Sequence, residues 1–263
     1  MSKKKEKCFD EFKVPKRKQP VFKIVKKVLK PFFGSKVESE IENLPDKAII
    51  VSNHAAKKGP MAIAVSYKKF HVMWGHHDML GTYKERFKYL RNVLYIQKMH
   101  KNKFTSTVKA TYEAAFSVYF YKGMKILGTY TDMRFLTTVR NSMSVLDDNA
   151  SVVIYPENSG EGYFDELRSV FPGFAVLATT YYRKKGEDVP IIPAYISTKE
   201  KRFILGAPKY AHELELKGMD NQAIANDLMN DINELYRKYI VTGDKVSALV
   251  DSAPVRSSSH YGE

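Results

Sequence analysis

Apolar residues recur along this chain with two alternating spacings. Short runs at 48–52 (AIIVS), 151–155 (SVVIY) and 190–197 (PIIPAYIS) are dense in Ile and Val and too short for helices, so they predict buried strands. Weaker runs predict further strands at 70–74, 125–130 and 202–206. Between them the spacing becomes helical, over about 61–69, 86–92, 104–121, 134–146, 173–183 and 221–239. The 104–121 helix carries Val108, Tyr112, Ala115, Phe116 and Tyr119. The last one sets Ile224, Leu228, Ile232, Leu235 and Tyr239 on one face, with Asp220 or Asn221 as its cap. Strands alternating with helices predict an α/β layered domain whose mostly parallel central sheet is flanked by helices.

Ahead of the first strand, residues 19–33 (QPVFKIVKKVLKPFF) place Val21, Ile24, Val25, Val28, Leu29 and Phe32 at helical spacing. Lys23, Lys26, Lys27 and Lys30 occupy much of the other side. Two placements fit this basic amphipathic N-terminal helix, and both can hold together. It lies in a bilayer interface with its lysines at anionic head groups, or it docks on the protein's own core with the lysines solvated. Charge sharpens the picture, because residues 1–36 hold thirteen Lys or Arg against three acids and so carry most of the net +14. A charge so confined, with no aromatic-basic recognition module, argues against nucleic acid as a partner. The N-terminus lacks the apolar core of a signal peptide, and no stretch approaches eighteen apolar residues. The expected location is cytoplasmic, peripheral on the inner face of the membrane. A lone cysteine, Cys8, excludes an internal disulfide and any zinc site built on cysteines. The expected parts are a basic segment at 1–36, an α/β domain at 37–245 and a Ser-rich mobile tail at 246–263.

Three loops carry candidate chemistry. The first, Ser52-Asn53-His54-Ala55-Ala56-Lys57-Lys58-Gly59-Pro60, leaves a predicted strand and enters a helix, where α/β folds commonly place reactive groups. A histidine there suits a general base, since its pKa lies near working pH. The second, Tyr155-Pro156-Glu157-Asn158-Ser159-Gly160-Glu161-Gly162, follows the SVVIY strand. Its small residues leave backbone N–H groups open to an anion, or else form a turn that Glu157 caps. The third, Gly128-Thr129-Tyr130-Thr131-Asp132-Met133-Arg134, ends in an arginine able to grip a phosphate or simply to start a surface helix.

In this order the motifs resemble the lysophospholipid and glycerol-phosphate acyltransferases, whose patterns read N-H-x-x-x-x-D-P, G-x-x-x-x-x-R and F-P-E-G-T-R-S, followed by V-P-I-I-P. Here they stand as N-H-A-A-K-K-G-P, G-T-Y-T-D-M-R, Y-P-E-N-S-G-E and V-P-I-I-P, across roughly residues 49–208. The resemblance implies that His54 takes the proton from an acceptor hydroxyl as it attacks an acyl thioester, from acyl-CoA or acyl carrier protein. It implies that Glu157, with Asn158 and Ser159, binds a lysophospholipid or glycerol-phosphate acceptor, that Arg134 contacts its phosphate, and that no metal or bound cofactor is required. Lys57 and Lys58 hold phosphate or CoA, or are solvated.

Two departures bear on activity. Gly59 replaces the aspartate that orients the histidine, and Asn158-Ser159-Gly160 removes a phosphate-binding arginine. In serine proteases, losing the orienting carboxylate costs about 10⁴ in rate. Asp78, in the run Trp74-Gly75-His76-His77-Asp78, is the candidate to stand in behind His54; alternatively, His76 and His77 carry the chemistry. As a metal site this run reads poorly, since adjacent histidines point apart on most backbones. The sequence therefore leaves two functions open: an acyltransferase, or a catalytically inactive relative that binds lipid or membrane.

Overall fold

The computed structural model describes residues 12–56, 58–158, 160, 162–246 and 248–249. Cys8, Lys57, Ser159 and, of the tail expected at 246–263, residues 247 and 250–263 lie outside them. In chain order the elements are helix α1 (Pro20–Phe33), strands β1 (Lys36–Ser39) and β2 (Ile49–Ser52), helix α2 (Lys58–Ser66), strand β3 (His71–His76) and a 3-10 turn (His77–Leu80). Helix α3 (Tyr83–Lys88), a π-helical stretch (Tyr89–Lys98), helix α4 (Lys103–Gly123), strand β4 (Ile126–Thr129), helix α5 (Phe135–Asp147) and strand β5 (Ser151–Ile154) follow. Next come helix α6 (Gly173–Lys185), strands β6 (Pro190–Ser197), β7 (Arg202–Leu205) and β8 (Lys209–Tyr210), and helices α7 (Ala211–Leu216) and α8 (Asn221–Tyr236). A π turn and strand β9 (Ala248–Leu249) close the order.

The protein is an α/β layered domain. Its sheet runs β4-β3-β5-β2-β6-β7-β1-β9, with β8 paired to β6. The five strands from β4 to β6 are all parallel, and antiparallel pairing begins at β7. Parallel strands need both faces covered, which is why β2 reads as an unbroken apolar run. Its Ile49 and Val51 face a core shared with α5, α6, α7 and α8, while Ile50 faces the opposite core with α1, α2 and the end of α4. All three are fully buried, each contributing about 1.5–3 kcal/mol.

Strand β1 escapes sequence reading because its Lys-Val-Glu-Ser has no apolar run. It pairs in parallel with β7, and its buried Glu38 accepts hydrogen bonds from Arg202 at 2.6 Å and Lys36 at 2.8 Å. Burial opposes the Glu38 charge, but those two cations hold its carboxyl below the usual range.

Helices α1 and α4 turn rows of apolar residues outward. Phe22 of α1 is buried over Gly123 of α4, where a Cβ would fall 2.2 Å from the ring, so only glycine lets the helices meet. Val21, Ile24, Val28 and Phe32 of the same helix stay exposed. Helix α4 buries its small residues Ser106, Ala110, Ala114 and Ser117, and leaves Phe104, Val108, Tyr112, Phe116 and Tyr119 facing out. Among the described residues, no helix is long and apolar enough to cross a membrane.

Candidate active site

The loops after β2 and β5 meet at the C-terminal edge of the parallel strands. Asn53 roots the first of them: its side-chain amide donates to the Ile196 carbonyl at 3.1 Å and accepts from the Ile196 N–H at 2.8 Å. Beyond it the chain turns sharply through Ala55 and Ala56, both left-handed at φ 44° and 53°, a conformation that costs about 1–3 kcal/mol per non-glycine residue. Glu157 ties the second loop to the first, accepting the His54 backbone N–H at 3.3 Å. The fold thus brings His54 and Glu157 together, but the carboxylate reaches the histidine's main chain and not its ring.

The His54 ring is flanked by Tyr155 and Tyr163, with centroids 4.9 and 5.3 Å away. Its Nδ1 is buried without a well-formed hydrogen bond, although the nearby carbonyls of Ala56 and of His54 itself slightly favour the charged ring. Burial dominates and lowers its pKa to about 4, with Lys98 adding to the effect. At neutral pH the imidazole is therefore uncharged and able to accept a proton, though only weakly basic. Glu157 is pushed the opposite way, its carboxyl raised by burial against the pull of backbone N–H groups and Lys98.

Gly59 sits in the first turn of α2 with its N–H directed at the Ala55 carbonyl, 3.4 Å away. A Cβ there would lie 2.2 Å from the His54 carbonyl oxygen. An aspartate does not fit this turn without moving the backbone that carries the histidine.

His54 opens onto a cavity of about 410 Å³, within the range of small-molecule sites. Its wall is mostly apolar, built from Met61, Leu94, Phe116, Phe120, Met124 and Ile126, with His76, Lys98 and Tyr163 as polar points. Lys98 and Tyr89 come from the π-helical stretch, and π turns recur at functional sites. Neither was singled out by sequence, because a lysine or tyrosine at helical spacing carries no signal of what it faces once folded.

The remaining predicted residues lie elsewhere. Asp78 contacts His77 Nε2 at 3.2 Å and His76 Nδ1 at 3.6 Å, and neither it nor Arg134 lines the cavity. Arg134 is half-exposed, paired with Asp132 at 2.7 Å and stacked over Tyr130. The pair holds the Asp132 carboxyl down at about 2. Asn158 is exposed, its side-chain oxygen accepting the Gly160 N–H at 3.4 Å, and Lys58 is exposed at the start of α2. Lys57 and Ser159 lie outside the described residues. A further feature has no local sequence signal: Tyr89, His76, His77 and Tyr130 stack in succession at centroid distances of 4.3, 4.7 and 4.5 Å. Compared with protein-family models and with curated proteins, the chain matches none.

Proposed function

We propose that this chain is a divergent acyltransferase of the lysophospholipid and glycerol-phosphate type, moving a fatty acyl group from an acyl thioester to an acceptor hydroxyl at the membrane surface. The observation that carries this reading is the mostly apolar cavity that His54 lines, a volume and lining suited to an acyl chain whose reacting carbon lies beside the ring. His54, uncharged at neutral pH, is the base that takes the hydroxyl proton as the ester C–O bond forms, and it returns that proton to the thiolate that leaves as the thioester C–S bond breaks. Glu157 fixes the backbone of that base, and Lys98 supplies positive charge beside it. Arg134, at the ring stack, holds the acceptor phosphate after exchanging it for Asp132. The donor is acyl-CoA or acyl carrier protein, the acceptor a lysophospholipid, and the place of work the inner face of an anionic membrane.

Two observations favour a second reading. The buried, unpartnered Nδ1 of His54 and the lack of room for a carboxylate at Gly59 fit a protein that keeps the lipid cavity without turnover. Acyl transfer from acyl-CoA to lysophosphatidic acid separates the two. The first reading expects transfer that His54→Ala lowers by about 10²-fold or more. Acyl-chain binding without transfer selects the second reading, and transfer that survives His54→Ala removes His54 as the base.

A further inference from the structure

The end of β3 gathers three metal-type donors that the proposed acyl chemistry does not use. On a continuing strand His76 and His77 would point to opposite faces. Here β3 ends at His76 and the 3-10 turn begins at His77, so the chain bends between them. Their rings consequently stack on one side of the chain, 4.7 Å between centroids and tilted by 26°, so that rotation of one ring brings both lone pairs to a common point. Asp78 then closes over both, and the ligand atoms of all three residues lie within 4.8 Å of one another.

Hydrogen bonding fixes which ring nitrogens carry lone pairs. Thr129 offers His77 Nδ1 only a carbonyl oxygen, at 3.2 Å, so Nδ1–H donates and Nε2 is left to face the Asp78 carboxylate. His76 Nδ1 accepts the backbone N–H of Asp78 at 3.4 Å, which makes it unprotonated as well. His77 Nε2 and the Asp78 carboxylate, 3.2 Å apart, therefore face each other as two acceptors, a contact that a cation between them relieves. A metal ion supplies that charge, and takes His76 Nδ1 as well once its long 3.4 Å contact with the Asp78 N–H is given up.

We propose that His76, His77 and Asp78 form a three-ligand site for a divalent transition metal of the zinc class. Ligand bonds of about 2.0–2.2 Å in tetrahedral geometry set donor atoms about 3.3–3.6 Å apart. His77 Nε2 lies 3.2 Å from Asp78 Oδ1 and His76 Nδ1 lies 3.6 Å from Asp78 Oδ2, so the carboxylate spans both rings with its two oxygens, and an ion draws the donors in from a cluster that lies within 4.8 Å. Two histidines and a carboxylate are a common donor set for such ions, and the Thr129 carbonyl on the far nitrogen of His77 is the customary outer support for a ligating imidazole. All three side chains are about one-third exposed, and His76 also lines the cavity beside His54, so the fourth position is open. The charges facing the cluster are mixed: Glu85 and Asp132 act on His77, while Lys98 opposes a cation at His76. This site stands whether or not the chain transfers acyl groups.

The test is titration of the tag-free, full-length protein with Co²⁺ after chelator treatment, following visible absorption, then displacement by Zn²⁺. One Co²⁺ per chain with the intense bands of a four-coordinate ion is expected. Asp78→Asn, which keeps size and shape, should weaken binding by at least about tenfold, as should His77→Ala. Thermal melts in chelator establish that both variants are folded, and Zn²⁺ should raise the melting temperature of the wild type but not of Asp78→Asn. His212→Ala, at a histidine stacked on Tyr182, should bind like the wild type. Absence of saturable binding, or binding indifferent to Asp78→Asn, overturns the proposal.

Discussion

The backbone around His54 decides what a single residue change at position 59 can do. The resemblance in the motifs makes Gly59→Asp look like a repair, yet the Cβ alone would sit 2.2 Å from a main-chain oxygen. Because that oxygen belongs to His54, relief of the clash displaces the base itself. Gly59→Ala is expected to lower stability by about 1–3 kcal/mol, the usual range for forced overpacking. Gly59→Asp is expected to do at least the same and to give no gain in acyl transfer. Urea unfolding and the transfer assay, run on both variants, check this; an active and stable Gly59→Asp would show that the turn reshapes freely. At this scale the sequence singled out His54 and Glu157 as residues of loops after strands, while their adjacency came only with the fold, since it depends on β2 pairing directly with β5. It did not reveal that Glu157 reaches the main chain, nor that Lys98 stands beside it, because those facts depend on side-chain direction in loops and π turns.

Helices α1 and α4 show how an apolar period is legible while its destination is not. Both were readable as helices, but periodicity alone does not say which side meets the core. In α4 the small residues Ala110 and Ala114 go inward, into a core shared with Leu90, Leu94 and Tyr95 of the π-helical stretch, and the aromatics go out. Tyr112 and Phe116 belong both to this outer stripe and to the cavity wall. Exposed apolar side chains in such rows, rimmed by Lys23, Lys27 and Lys30, fit insertion beneath anionic head groups. Binding to vesicles containing anionic lipid is therefore expected to be salt-sensitive, and Ile24→Glu with Val28→Glu is expected to weaken it at least about tenfold. Co-sedimentation measures it, and unchanged binding by the double variant would remove α1 from the contact. A parallel Phe116→Glu variant asks the same of α4, with weaker vesicle binding expected there too.

Across the whole molecule the sheet was readable because its central parallel strands must be apolar on both faces, and β2, β5 and β6 announce themselves. The edge at β1 and β9 was not, since β1 depends on a buried Glu38–Arg202 pair contributed by distant segments. The same two-sided burial gives the fold a pH sensitivity carried by histidines. His71 is buried, its Nδ1–H donating to the Lys69 carbonyl at 2.7 Å, and burial first of all, with Lys26 and Lys125 nearby, lowers its pKa to about 3. His54 is held at about 4. In the unfolded chain both return to about 6.5. Between those values the unfolded state binds protons that the native state does not, so stability is complete above about 6.5 and falls as pH falls through this window. Each histidine alone contributes about 2 kcal/mol to the difference between pH 7 and pH 5, from about 1.4 kcal/mol per pH unit. Glu157, Asp188 and Asp231, raised by burial, act in the opposite direction from their ordinary carboxylate range upward, so the net slope is a difference. Replacing one histidine isolates its share. His71→Asn keeps a donor for the Lys69 carbonyl and cannot titrate, and urea unfolding at both pH values should show the gap between them shrinking by about 2 kcal/mol. A gap the same as in the wild type would mean that His71 is protonated alike in the folded and unfolded chain, and that it is not held neutral beneath the sheet.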